Sequence, residues 1–184
     1  MNEKNVKLFF VNTWLFNKRI YNNAILIKPI GKKEFMIIRN ITENDRQAFY
    51  ELEKQFYCSG ATHRPYNAAI TEKTFNYLMS RHENLWGYLM EDINTGEDVG
   101  YALLTSYWCN EDGGIVLIID EFFIAEDQRG KGYGSLFLEF VENEFKDKAV
   151  SITLEVVTTN TNAKNLYNRK GYFPDGFEVL TKKL

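Results

Sequence analysis

Residues 115–124, IVLIIDEFFI, are apolar except for Asp120 and Glu121. A strand with one wet face alternates polar and apolar residues, so this run predicts a central strand covered on both faces. A short polar turn follows, then the basic, glycine-rich stretch Arg129–Gly134. Beyond it Leu136, Phe137, Phe140, Val141 and Phe145 recur at helical spacing. That spacing predicts an amphipathic helix lying back against the sheet. Where a helix starts, backbone N–H groups are unpaired and the dipole is positive, and glycines let the backbone approach an anion closely. Arg129 and Lys131 add positive charge, so the junction reads as a phosphate cradle.

The rest of the chain supplies the remaining layers. Pro29 and Gly31 punctuate it just before Met36, so residues 1–35, with apolar patches at 8–16 and 24–30, are expected to be an N-terminal extension and residues 36–184 the compact domain. The β-branched run at 36–41 reads as a strand, and Thr42 with Asp45 starts a helix carrying Ala48, Phe49, Leu52 and Phe56. A loop at 58–69 leads to a second helix at 71–81. Strands are expected at 85–90 and 99–108, joined through Asn94-Thr95-Gly96, and at 151–157. Thr161 or Asn162 caps a last helix bearing Ala163, Leu166 and Tyr167, Gly171 ends it, and a final strand is expected at 177–181. Hairpin strands joined to a strand–helix–strand unit predict an α/β fold with a single mixed sheet and helices on both faces.

The 184-residue length and 45% hydrophobic content suffice for one core. A net charge of −3 without a basic stripe argues against nucleic acid as a partner. Cys58 and Cys109 form no C-x-x-C pair and read as free buried thiols of a cytoplasmic protein, with no metal site expected. Asn12 and Thr13 interrupt the apolar run at 8–16, which is also too short to span a bilayer and precedes no small-residue cleavage site, so no membrane span or export signal is assigned.

Two motifs sharpen the reading. Arg129-Gly130-Lys131-Gly132-Tyr133-Gly134 matches the pattern Arg or Gln, two residues, Gly, one residue, Gly or Ala. Asn160, Ala163, Leu166 and Tyr167, followed by Gly171-Tyr172-Phe173, match a second pattern, Asn, two residues, Ala, two residues, Leu-Tyr. Over residues 36–184 the chain thereby resembles the GNAT superfamily of acetyltransferases. The resemblance implies a mostly antiparallel sheet of six to seven strands, splayed near its centre. It implies that the amides of Arg129, Gly130, Lys131, Gly132, Tyr133, Gly134 and Ser135 bind the pyrophosphate of acetyl-CoA. The strand edge at Phe122, Phe123 and Ile124 would hydrogen-bond the pantetheine arm as an added strand. Asn160 would contact the cofactor, and the Tyr167 hydroxyl would protonate its departing thiolate. Members of this family commonly pair as dimers, although no interface motif is visible in this chain.

Each feature also has a plainer reading: the glycine loop as a tight turn, Tyr167 as a core tyrosine, His63 and His82 as surface residues, and Glu139, Glu142, Asn143 and Lys146 as a solvated helix face. Other nucleotide loops fit poorly, since Gly130, Gly132 and Gly134 give neither G-x-G-x-x-G nor a P-loop. Asp120 and Glu121 resist the plain reading, because a buried carboxylate is costly without a partner or a task. Neighbouring strand residues point to opposite faces, so one of the two is expected in the cleft. An alkylamine of pKa about 10.4 must lose a proton before it attacks a thioester, at a cost of about 4.6 kcal/mol at neutral pH. Glu121 or Asp120 is the expected base and Tyr167 the acid, with an amide near Phe122–Ile124 polarising the acetyl carbonyl. The expected activity is direct acetyl transfer from acetyl-CoA to a primary amine, of a small molecule or a peptide, with the acid pair suiting a cationic acceptor. The alternative is a non-catalytic acyl-CoA-binding or interaction domain on the same fold.

Overall fold

The computed structural model describes residues 19–21, 24–27, 36–80 and 82–183. Two short backbone strands, β1 (Arg19–Tyr21) and β2 (Ala24–Ile27), pair antiparallel, and β2 pairs in turn with β3 (Met36–Asn40). The apolar patch at 8–16 and the expected domain boundary near residue 35 lie outside the described residues.

Thr42 starts the first helical segment as expected: its N–H and hydroxyl both donate to Asp45 Oδ2, each at 2.7 Å. One 3-10 turn passes into α1 (Arg46–Cys58). Helix α2 (Ala68–Met79) begins three residues earlier than its apolar spacing predicts, because Asn67 caps it by accepting the Ala69 N–H. Strands β4 (Leu85–Asp92), β5 (Asp98–Cys109) and β6 (Gly114–Ile124) form an antiparallel meander beside β3. Helix α3 (Tyr133–Phe145) crosses back to β7 (Ser151–Leu154), which lies parallel to β6, and α4 (Thr161–Arg169) follows. This is the expected α/β class. Its body is the five strands β3 to β7 in one mixed sheet, with β6 flanked on both sides.

Each face of the sheet carries its own core. On one, Leu136, Phe137, Phe140 and Val141 of α3 cover Ile38, Met90, Leu104, Leu117 and Ile119. On the other, Phe49, Leu52 and Phe56 of α1 and Phe75 and Leu78 of α2 cover Leu89, Tyr101, Leu103 and Phe123. Each such fully buried side chain contributes about 1.5–3 kcal/mol. None of the described helices is long and apolar enough to cross a membrane.

The C-terminal expectations need correction. Strand β7 stops at Leu154, and no strand forms at 177–181. Asp175 Oδ1 accepts the Phe177 N–H, Gly176 turns at φ 89°, and Phe177, Val179 and Leu180 stay 77%, 71% and 91% exposed. The turn breaks the extended run, and a four-residue β7 offers only a short edge to pair with. The cap of α4 is Asn160 rather than Thr161 or Asn162. Both cysteines are free, but Cys58 is exposed and Cys109 half-buried. Glu139 is not simply solvated, since the Lys170 ammonium donates to its carboxylate and ties α4 to α3.

Candidate active site

The glycine loop has the backbone a phosphate cradle needs. Gly130 and Gly132 sit at φ 81° and 93°, a region that side chains disfavour. No side chain caps α3, and the first turn of a helix is where backbone N–H groups lack intrahelical acceptors. Gly134 marks a meeting of three elements: a Cβ there would lie 3.0 Å from Leu166 Cδ2 on α4 and 3.6 Å from Phe122 Cζ on β6. Ser135 is half-buried in the same helical turn.

The loop's side chains do less uniform work than its amides. The Tyr133 side chain is buried and its hydroxyl donates to Asp92, which pins the helix start to the end of β4. Lys131 Nζ donates to Gln128 Oε1 at 2.6 Å. Arg129 turns back, donating through Nε to the Ile124 carbonyl at 3.0 Å with its guanidinium 5.6 Å from the Phe123 ring centre.

The splay lies beside this loop. Pairing between β6 and β7 ends at Ile119 opposite Leu154, while β6 runs on to Ile124. Among the described residues, no strand pairs with β6 on that side beyond Ile119. The side chains of Phe122 and Phe123 belong to the two cores, Phe122 stacked on Phe137 at 4.8 Å and Phe123 4% exposed. What this edge can offer a ligand is therefore backbone.

A β-bulge decides which acid enters which face. Leu103 of β5 pairs with Glu121 and Leu104 with Ile119, leaving Asp120 as the extra residue. The bulge shifts the alternation, so Glu121 joins Leu103, Tyr101 and Phe123 on the α1 face. Tyr57 of α1 donates to Glu121 Oε1 at 2.8 Å, and Tyr101 of β5 donates to Oε2 at 2.7 Å. Burial raises the Glu121 carboxyl above its ordinary value, the two phenols oppose that rise, and Asp120 adds to it. Asp120 itself is exposed; loss of surrounding water and nearby Glu155 raise its carboxyl, and Arg64 opposes them.

On α4, Asn160 Oδ1 accepts the Ala163 N–H at 3.1 Å, so this residue orders the helix that carries Tyr167. Tyr167 is half-buried, with its ring 5.9 Å from that of Tyr172. Burial pushes its phenol up to about 12, so it stays protonated at neutral pH.

Three residues at this site escaped the sequence reading: Glu53, Tyr57 and Tyr101. Glu53 is 2% exposed, its Oε2 has no hydrogen-bond partner, and burial raises its carboxyl to about 7. The available signal was Phe49-Glu53-Tyr57, an i, i+4, i+8 row that places a carboxylate on the apolar face of a helix. His63 is exposed, and His82 stacks on Tyr77 at 3.8 Å. Among the described residues, no group of three or more His, Cys, Asp or Glu side chains could hold a metal ion.

Comparisons with known proteins bear on the fold and the family. The chain is 29% identical over 154 residues to the D-amino-acid N-acetyltransferase HPA3 of Saccharomyces cerevisiae, covering 80% of this chain and 90% of that protein. An integron cassette protein from the mobile metagenome of Cole Harbour Salt Marsh shares the fold at TM-score 0.67 and 24% identity, over 80% of this chain and 90% of its own. The aminoglycoside N-acetyltransferase AAC(6')-Iy, solved with a bisubstrate analogue of CoA and acetylneamine, superposes at TM-score 0.65 and 14% identity, over 81% and 98% of the two chains. A family model described as Acetyltransferase (GNAT) family matches residues 46–172, more than half the sequence, and the chain belongs to that family.

Proposed function

We propose that this protein transfers an acetyl group from acetyl-CoA to the primary amine of a small molecule. The observation that carries the reading is the convergence at Gly134, where the uncapped start of α3, the Tyr167 helix and the stretch of β6 that β7 leaves uncovered meet. Acetyl-CoA supplies the acetyl group as a thioester, already activated for attack by an amine.

The chain's own groups have separable tasks. The amides from Arg129 to Ser135 hold the pyrophosphate, helped by the positive end of α3 and by Lys131. Positive φ at Gly130 and Gly132, with no atom near a Cβ built at Gly130, suits a ligand lying directly on the backbone. The edge from Phe122 to Ile124 takes the pantetheine arm by added-strand pairing, and an amide there polarises the acetyl carbonyl. Asn160 contacts the cofactor besides capping α4. Glu121 accepts the proton of the amine, its carboxylate aimed by the Tyr57 and Tyr101 hydroxyls. Tyr167 keeps its proton until the thiolate leaves.

The acceptor is drawn as a small primary amine that binds as its ammonium form. The carboxyl groups of Glu121 and Glu53 have no cationic partner among the described residues, which supports this choice. Similarity to the yeast D-amino-acid N-acetyltransferase is the reason to test D-amino acids first, with polyamines, aminoglycosides and peptide amines after them.

Calorimetric titration with acetyl-CoA, followed by thiol release assays over that panel, tests the reading. Micromolar binding lost in Gly132→Asp, with turnover of at least one amine, is the expected result. Binding without turnover of any amine would indicate a non-catalytic acyl-CoA-binding domain, and no binding would overturn the donor assignment.

A further inference from the structure

The strongest unexplained feature is the carboxylate behind Glu121. Glu53 lies one helical turn before Tyr57 on the same face of α1, and Tyr57 reaches Glu121 Oε1 directly. The Glu53 side chain is 2% exposed, lies near enough to the Thr71 hydroxyl of α2 for that group to favour its charged form, and leaves Oε2 buried without a partner. The groups within electrostatic reach of it are Tyr57 on α1, Thr71 on α2, Tyr101 on β5 and Glu121 on β6. None of these is a cation, and Arg64 acts on Asp120 instead.

Two carboxylates that repel each other in a dry site do not both ionise freely, so one proton or one bound cation must neutralise them in part. The hydrogen bonds decide where that proton sits. Glu121 receives two phenol donors, which stabilise its charge, whereas Glu53 has no such pair and keeps an orphaned oxygen. The proton therefore resides on Glu53, leaving Glu121 ionised and able to act on the amine. In agreement, Glu53 is raised to about 7, first by burial and then by Glu121.

We propose that Glu53 is a positioning residue for the acceptor, acting through Glu121: the two side chains share one proton, and release of that proton sets how strongly the pocket holds a cationic amine. This rests on the acetyltransferase reading only for the identity of the ligand class. The coupling between the two carboxylates stands apart from it. No further reactant is needed, because the proton passes from the Glu53 carboxyl to solvent and returns when the ammonium leaves.

The test has two arms. In the first, carboxyl carbons of 13C-labelled glutamate are followed by NMR as pH is varied in the ligand-free protein. Glu53 is expected to titrate near neutrality, its signal assigned by loss in Glu53→Gln, and to move down by about one pH unit in Glu121→Gln. Titration of Glu53 in the ordinary carboxylate range, or no movement in Glu121→Gln, would overturn the pairing.

The second arm measures butylammonium binding to the protein by ligand-observed NMR at about pH 6 and about pH 8, a range over which this alkylamine remains a cation. Any pH dependence then belongs to the protein. Binding at least about threefold tighter at the higher pH is expected, and the ratio should collapse to one in Glu53→Gln. An unchanged ratio in that variant, or absence of binding, would overturn the role in capture. Acetyl-CoA titration of Glu53→Gln verifies that the fold and donor site survive. If no amine turns over while both arms succeed, the catalytic reading alone falls.

Discussion

The hydroxyl of Tyr101, on a β5 side chain with no exposed surface, donates to Oε2 of Glu121 on β6 at 2.7 Å. Because a donor to a carboxylate favours the charged form, Tyr101 holds Glu121 closer to the ionised state that a base requires. Tyr101→Phe should therefore raise the Glu121 pKa and move the acid limb of the pH–rate profile up by about one unit. Loss of the buried bond should also destabilise the fold by about 1–3 kcal/mol, read by urea denaturation. A profile unchanged in this variant would separate Glu121 from the rate.

The bulge at Asp120 predicts unequal roles for the two acids. Glu121→Gln should lower kcat by on the order of 100-fold or more, whereas Asp120→Asn, altering an exposed side chain, should leave it within about threefold. Steady-state rates at saturating amine decide between them. The reverse ranking would mean that the cleft opens on the other face of β6.

Tyr167→Phe removes a hydroxyl without removing the ring that packs against Tyr172. The fold and acetyl-CoA affinity should survive, and kcat should fall by about 100-fold. Full turnover in the variant would return Tyr167 to the status of a core residue.

Glu53 makes stability depend on pH. Its folded pKa of about 7 lies above the ordinary value of 4.5, so the folded chain keeps a proton that the unfolded chain loses between these values. The stabilising contribution is complete below pH 4.5 and is lost as pH rises towards 7. Glu53→Gln mimics the protonated form and should gain melting temperature relative to the parent as pH rises from about 5 to about 8. Parallel melting curves at both pH values would contradict a buried, proton-holding Glu53.

Gly100 on β5 faces the β6 backbone so closely that a Cβ would lie 2.3 Å from the Phe123 carbonyl oxygen. Gly100→Ala should push the two strands apart and cost on the order of 1–3 kcal/mol, measurable as a lowered melting temperature.

The amino-acid sequence by itself determined the layers and the glycine loop proposed to hold the donor. The apolar run at 115–124, the helical spacing from Leu136 to Phe145 and the glycines at 130, 132 and 134 are local patterns, and local periodicity and φ preference are what a linear chain displays. Asp120 and Glu121 were also visible as acids that a buried strand does not tolerate without reason.

Tertiary structure decided the acid cluster proposed to meet the acceptor. Strict alternation along β6 could not say which acid faces α1, because the answer depends on a bulge created by pairing with Leu103 and Leu104 of another strand. Nor could it join Glu53, Tyr57, Tyr101 and Glu121, which come from α1, β5 and β6 and meet only when the helix packs on the sheet. The missing strand at 177–181 has the same origin: its apolar residues favour extension, but a strand also needs an edge to pair with, and β7 ends after four residues. Pairing and burial are properties of two segments together, and for that reason neither is written in one of them.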